Sequence, residues 1–197
     1  MGFSGGDASG VALVLAQAEY WSQIPAEQRP HNMLFLLTAR HMAHAAGTAT
    51  FLDDHRDLLE HTVLEVHLEH AANRCVVDDE VLVPLDEPEV RWWFTSRNPH
   101  LESAVIEAIG AEDLRRSMVF KPDILWETPP TDGAWFHQIG VPLVNFLTAP
   151  MYLFDPADTM DKIHVPSLVP LTRAVARIIA STRDVSASQM RAGVQSD

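Results

Sequence analysis

The feature that most constrains this chain is residues 32–38 (NMLFLLT), in which Met33 to Leu37 are apolar without a break. A run that short and that uniformly apolar predicts a central strand buried on both faces, not an edge strand with one wet side. Segments of helical spacing flank it. Val11, Leu15, Ala18 and Trp21 recur as one face of a helix over residues 10–24, with Asp7 or Ser9 as its cap. Pro25 ends it, because proline excludes the helical backbone from the residue before it. Residues 43–55 read as the next helix, weakest at Gly47.

The same alternation continues downstream. Residues 62–68 (TVLEVHL) predict a second strand, with His67 on the face opposite Val66. Residues 75–85 predict a hairpin turning at Asp78-Asp79, and residues 90–95 (VRWWFT) an aromatic strand in which Trp92 and Trp93 point to opposite faces. A helix over 101–109 closed by Gly110, a strand over 117–120, a proline-containing loop over 123–130, a short helix over 132–139 closed by Gly140 and a strand over 141–147 follow. Pro166 opens a C-terminal helix over 166–181 that faces Leu168, Leu171, Val175, Ile178 and Ile179 inward. Residues 1–183 therefore read as one domain, and the polar residues 184–197 as a disordered tail. Strands alternating with amphipathic helices predict an α/β three-layer αβα fold around a mostly parallel, mixed sheet. Sites in such sheets lie at the carboxyl ends of the strands, here around residues 38–41, 67–70 and 146–150.

Composition removes several function classes. The formal charge is −13, with 14 Lys and Arg against 27 Asp and Glu. That argues against nucleic acid as a partner, because phosphate contact needs clustered cations. No apolar run reaches the roughly 20 residues of a membrane span, so no membrane partner is expected. Cys75 is the only cysteine, which rules out an internal disulfide and a cysteine zinc cluster and is compatible with a cytoplasmic address. It reads as a small hydrophobe. No nucleophile elbow, phosphate loop or dinucleotide fingerprint is present.

Four segments, in order, carry a resemblance. Gly6-Asp7-Ala8-Ser9-Gly10 precedes an apolar helix. The run 33–38 is followed by Gly47-Thr48. Residues 64–68 form a strand. Residues 131–159 combine Thr131-Asp132-Gly133, a Gly140-Val141-Pro142 strand entry and Pro156-Ala157-Asp158-Thr159. Together they resemble the co-catalytic di-zinc aminopeptidase and glutaminyl cyclase-like metallopeptidase family, over nearly the whole chain to Thr182. The last segment is the most specific. The resemblance implies a zinc-aminopeptidase type of fold whose first strands are missing from this sequence. It also implies a reaction in which two zinc ions activate a water molecule.

Carried across by position, the family's metal chemistry falls on unsuitable residues. The bridging aspartate corresponds to Gly5, the general-base glutamate to His41, its neighbouring ligand to Met42, the strand-end aspartate to His67 and the closing histidine to Phe154. Glycine and phenylalanine cannot ligate zinc, and a thioether prefers softer ions. The leading expectation is thus a metallopeptidase-like domain that has lost its di-zinc site and acts as a binding or assembly module. It would bind no cofactor; its partners would be a small peptide or amide ligand, a second copy of the chain, or the absent N-terminal segment.

The alternative is a hydrolase of a peptide or amide bond. In it His41 acts as base, or a relocated zinc site forms from His44, His67, His70 and Asp158. Trp126, Asp132, Phe146, Tyr152 and Phe154 would line its substrate pocket. Each of these residues also has a structural reading. The aromatics pack the core, the histidines are hydrogen-bonded or exposed, Asp132 caps the helix after it and Asp158 holds its loop through backbone amides.

Overall fold

The computed structural model describes residues 5–192. Helix α1 (Gly5–Ser22) is followed by α2 (Ala46–Asp54), α3 (Arg56–Glu60) and β1 (Glu65–Leu68). The hairpin strands β2 (Asn73–Asp78) and β3 (Val81–Pro88) lead to β4 (Arg91–Thr95), α4 (Pro99–Ala111) and β5 (Ser117–Phe120). The chain closes with α5 (Gly133–Gln138), β6 (Leu143–Thr148), α6 (Val165–Ser181) and α7 (Ala187–Arg191). The main sheet runs β1-β6-β4-β5. The β1/β6 and β4/β5 pairs are parallel and the central β4/β6 pair is antiparallel, so the sheet is mixed and mostly parallel, as the alternating pattern predicts.

Period-2 geometry sorts the strands into two faces. Val66, Leu68, Trp93, Val144 and Phe146 point to one face, where Leu13 of α1, Leu101 and Val105 of α4, and Leu171, Val175 and Ile178 of α6 close a single core. Trp93 and Phe146 sit at its centre, fully buried, with ring centroids 4.7 Å apart. The opposite face carries Glu65 and His67 of β1 and Leu143 and Asn145 of β6, and α5 packs over it. There Phe136 and Val141 join Leu52 of α2 and Leu59 of α3 in a smaller cluster.

Residues 32–38 depart from expectation. Among the described residues they have no strand partner and no ladder takes them in. Leu36 packs against the smaller cluster, but Leu34 is 61% exposed, Phe35 39% and Leu37 54%. Apolar continuity promised burial on two faces; a strand also needs a neighbour, and β1 and β5 are the sheet's edges. Other elements shift at their ends. The helix over 43–55 begins only at Ala46, after a left-handed passage through His44 and Ala45, and is followed directly by α3. Asp7 and Ser9, read as caps of α1, both lie inside it. The hairpin turns at Asp79-Glu80, both with positive φ, one residue later than read. Gly110 lies within α4.

The polar tail is also corrected in part. Residues 187–191 form α7, opened by a capping box between Ser186 and Gln189. Met190 is fully buried, and Arg191 donates to the carbonyls of Gly140 at 3.0 Å and Leu59 at 2.5 Å. Composition hid a local cap and one anchoring residue. The remainder of that expected tail, 193–197, lies outside the described residues.

Candidate functional site

The carboxyl end of β1 is brought against α1 by two small residues. Ser9 Oγ accepts a hydrogen bond from the Ala71 amide at 2.8 Å. A Cβ on Gly10 would stand 2.7 Å from the Leu68 carbonyl oxygen, so only glycine permits that approach. The Ser-Gly pair of the first motif is thereby a packing device in this chain. Beyond β1, the His70 ring is buried and its Nδ1 donates to the Thr148 carbonyl at 3.1 Å, while Thr148 Oγ1 donates to the His70 carbonyl at 3.1 Å. His70 ties the ends of β1 and β6 together.

Along the site face of β1, alternation aligns Glu65, His67 and Glu69. His67 Nδ1 lies 3.4 Å from Glu65 Oε1, and its Nε2 donates to Glu69 Oε1 at 3.1 Å. Burial alone would lower the His67 pKa, but the two glutamates outweigh it and raise the value to about 10. The imidazole is therefore a cation near neutral pH. Its neighbour in register is Asn145, whose Oδ1 accepts from Thr131 Oγ1. A Cβ on Gly133 would meet that Oδ1 at 2.7 Å, so α5 sits directly over Asn145. Asn145 Nδ2 and Glu65 Oε2 are both buried without a hydrogen-bond partner among the described residues, an exceptional state for native polar atoms.

A second chain of bonds descends from α5. Asp132 does not cap that helix with its side chain; Thr131 Oγ1 takes the Gly133 amide instead, at 3.1 Å. Asp132 Oδ1 is bonded to His41 Nδ1, and Oδ2 accepts from Thr48 Oγ1 at 2.8 Å, which is itself 3.0 Å from Thr38 Oγ1. Burial raises the Asp132 pKa, but the His41 and Thr48 bonds and the nearby His67 charge lower it further, so it is an anion. The His41 side chain is partly exposed on a loop whose residues Arg40, His44 and Ala45 all have positive φ. Gly47 holds that loop down: its amide donates to the Ala39 carbonyl at 3.1 Å, and a Cβ there would be 2.4 Å from the same oxygen.

The remaining expected site residues do not gather here. Phe146 lies on the other face, in the main core. Tyr152 is buried beside Cys75 and Ala72, its hydroxyl donating to the Asn73 carbonyl at 2.6 Å. Trp126 and Phe154 are exposed, Phe154 with φ 71°. His44 is exposed on the loop. Asp158 is buried, and the Asx-type turn of its loop is closed by Asp155, which accepts from the Ala157 amide at 2.8 Å. Trp126, Asp132, Phe146, Tyr152 and Phe154 thus form no common pocket. Sequence reasoning missed Glu65, Thr48 and Asn145. The Glu-x-His-x-Glu spacing on a strand was the readable signal for the first of these.

Among the described residues no three His, Cys, Asp or Glu side chains converge on a point that could hold an ion. His67, the one competent side chain at a ligand position, lies between the Glu65 and Glu69 carboxylates. Among the described residues no helix is long and apolar enough to cross a membrane. No known family, curated protein or solved structure matches this chain.

Proposed function

We propose that this chain is a metallopeptidase-like α/β domain of the zinc-aminopeptidase type that has lost its di-zinc site and works as a binding and assembly module. The observation that carries the reading is the exposed apolar segment 32–38, extended yet outside every ladder among the described residues. A second copy of the chain supplies what the first lacks. Each copy carries such a segment, and each carries open sheet edges at β1 and β5 to which an extended strand can add. The ligand-position inventory of Gly5, Met42, His67 and Phe154 supports the loss of metal chemistry. Light scattering across a concentration series tests the assembly. The wild type should self-associate, and Leu34→Lys with Leu37→Lys should return it to a folded monomer. A wild-type monomer that binds no hydrophobic dye would sink the reading.

One observation favours the hydrolase alternative. The Thr48–Asp132–His41 chain orients an imidazole through a carboxylate, the arrangement a general base needs. The test is wild type against His41→Ala on a panel of aminoacyl and N-acyl amides. Equal rates remove His41, and metal content below about a tenth of an equivalent in untagged protein removes a relocated zinc site.

A further inference from the structure

Arg91 opens β4 and is buried, only 4% exposed, on the face of the sheet away from His67. A buried guanidinium ordinarily sits against a carboxylate. This one does not: among the described residues it forms no ion pair, and its two bonds go to neutral acceptors. Nη1 donates to the Arg115 carbonyl and Nη2 to Ser167 Oγ at 2.5 Å. Burial, and then the charge of Arg116, lower its pKa to about 10, so it remains charged at neutral pH without a counter-charge of its own.

Arg91 lines an open cavity of about 220 Å³ beneath the start of α6, together with His164, Ser167 and Leu114. That is below the roughly 300–1,000 Å³ of pockets that enclose drug-sized ligands, so an occupant is small. The two carboxylates in its wall are already neutralised, Glu112 by Arg177 Nε at 2.7 Å and Asp113 by Arg115 Nε at 3.0 Å. The polarity of the remaining groups is fixed by Arg91. Because its Nη2 donates to Ser167 Oγ, the serine proton is left for His164 Nδ1, 2.5 Å away, and the neutral imidazole then carries its proton on Nε2. Burial and then the Arg91 charge lower the His164 pKa, against the opposing charge of Asp86, and keep the ring neutral. The 17-residue helix α6 adds the positive end of its dipole.

We propose that this cavity is a binding site for a small oxyanion, a phosphate or carboxylate group, that supplies the counter-charge Arg91 lacks. The guanidinium offers planar paired donors that match such groups. The site is separate from the His41–Asp132 chain and does not depend on the assembly reading.

Calorimetry and thermal unfolding of the full chain with inorganic phosphate, acetate and chloride at matched ionic strength test it. Phosphate or acetate should bind saturably and raise the unfolding temperature, and chloride should not; response to phosphate alone narrows the class to phosphoryl groups. Arg91→Lys should weaken binding about tenfold, through loss of the bidentate geometry. Ser167→Asp places a carboxylate on Arg91 itself and should abolish the anion response in a protein that still folds. A wild type that responds to all three anions alike, or a Ser167→Asp protein that binds as the wild type does, overturns the proposal.

Discussion

Replacing His67 by glutamine tests the charge logic of the β1 file. Glutamine keeps most of the volume and can still donate to one glutamate, but it removes the imidazolium that lies between Glu65 and Glu69. Glu65, whose Oε2 already lacks a hydrogen-bond partner among the described residues, then loses its neighbouring cation, and Glu69 keeps only the more distant His70 ring at 3.8 Å. Breaking a buried ion pair from one side costs about 3–5 kcal/mol. The His67 side chain is 19% exposed, so the lower figure applies, about 3 kcal/mol. For a chain of this size that corresponds to roughly 6–12 °C in unfolding temperature.

The pH dependence gives a second handle on the same substitution. The folded pKa of His67 is raised from 6.5 to about 10. Its stabilisation is therefore complete below about pH 6.5 and is lost as pH rises toward 10, with a slope approaching 1.4 kcal/mol per pH unit. Urea unfolding from pH 6 to 10 should show this decline in the wild type and a flatter curve in His67→Gln. A variant within about 1 kcal/mol of wild type at pH 7, with the same slope above it, would refute the reasoning.

Other consequences are as specific. Gly47→Ala should destabilise by about 2 kcal/mol or more, because its Cβ would meet the Ala39 backbone, which cannot yield as a side chain could; the denaturant midpoint reads this. Ser9→Ala should cost about 1–3 kcal/mol by leaving the buried Ala71 amide without its acceptor, again read by urea unfolding. Asp132 has a lowered pKa, so its contribution is present above about pH 4 and lost as pH falls below it. Asp132→Asn should flatten the acid limb of the stability curve, measured from pH 5 to 2. Phe146→Ala should cost about 3–5 kcal/mol by opening a cavity beside Trp93, while Trp126→Ala, on an exposed ring, should change stability by less than about 0.5 kcal/mol.

Period and propensity made much of this fold legible. The β-prone stretch over 90–95 became β4, the run over 117–120 became β5, and the amphipathic stretch after Pro166 became α6 with the residues expected inside. Trp92 and Trp93 diverge to opposite faces as strand geometry requires. What sequence could not show was neighbourhood. Residues 32–38 have the composition of a central strand, but a strand exists only where a partner's backbone lies alongside, and that partner is a property of the whole sheet. The aromatics of residues 146–154 fit a pocket by proximity in sequence, yet Phe146 turns into the core because β6 alternates, and Tyr152 bonds downward to Asn73. His41 and Asp132 were each readable as polar groups near strand ends. Which of the strand-end histidines would meet Asp132 or Asp158 was not; it is His41 that pairs with Asp132, across 91 residues. Arg91 gave no sign at all, since a lone arginine in an aromatic strand looks like any exposed edge residue.

Concentration-dependent hydrogen exchange at Leu34, Phe35 and Leu37 tests the central claim most directly. If the segment is an assembly surface for a second copy, these amides exchange freely in dilute protein and become protected as the concentration rises and light scattering reports association. Exchange that stays fast at every concentration, in a chain that remains monomeric, would contradict it.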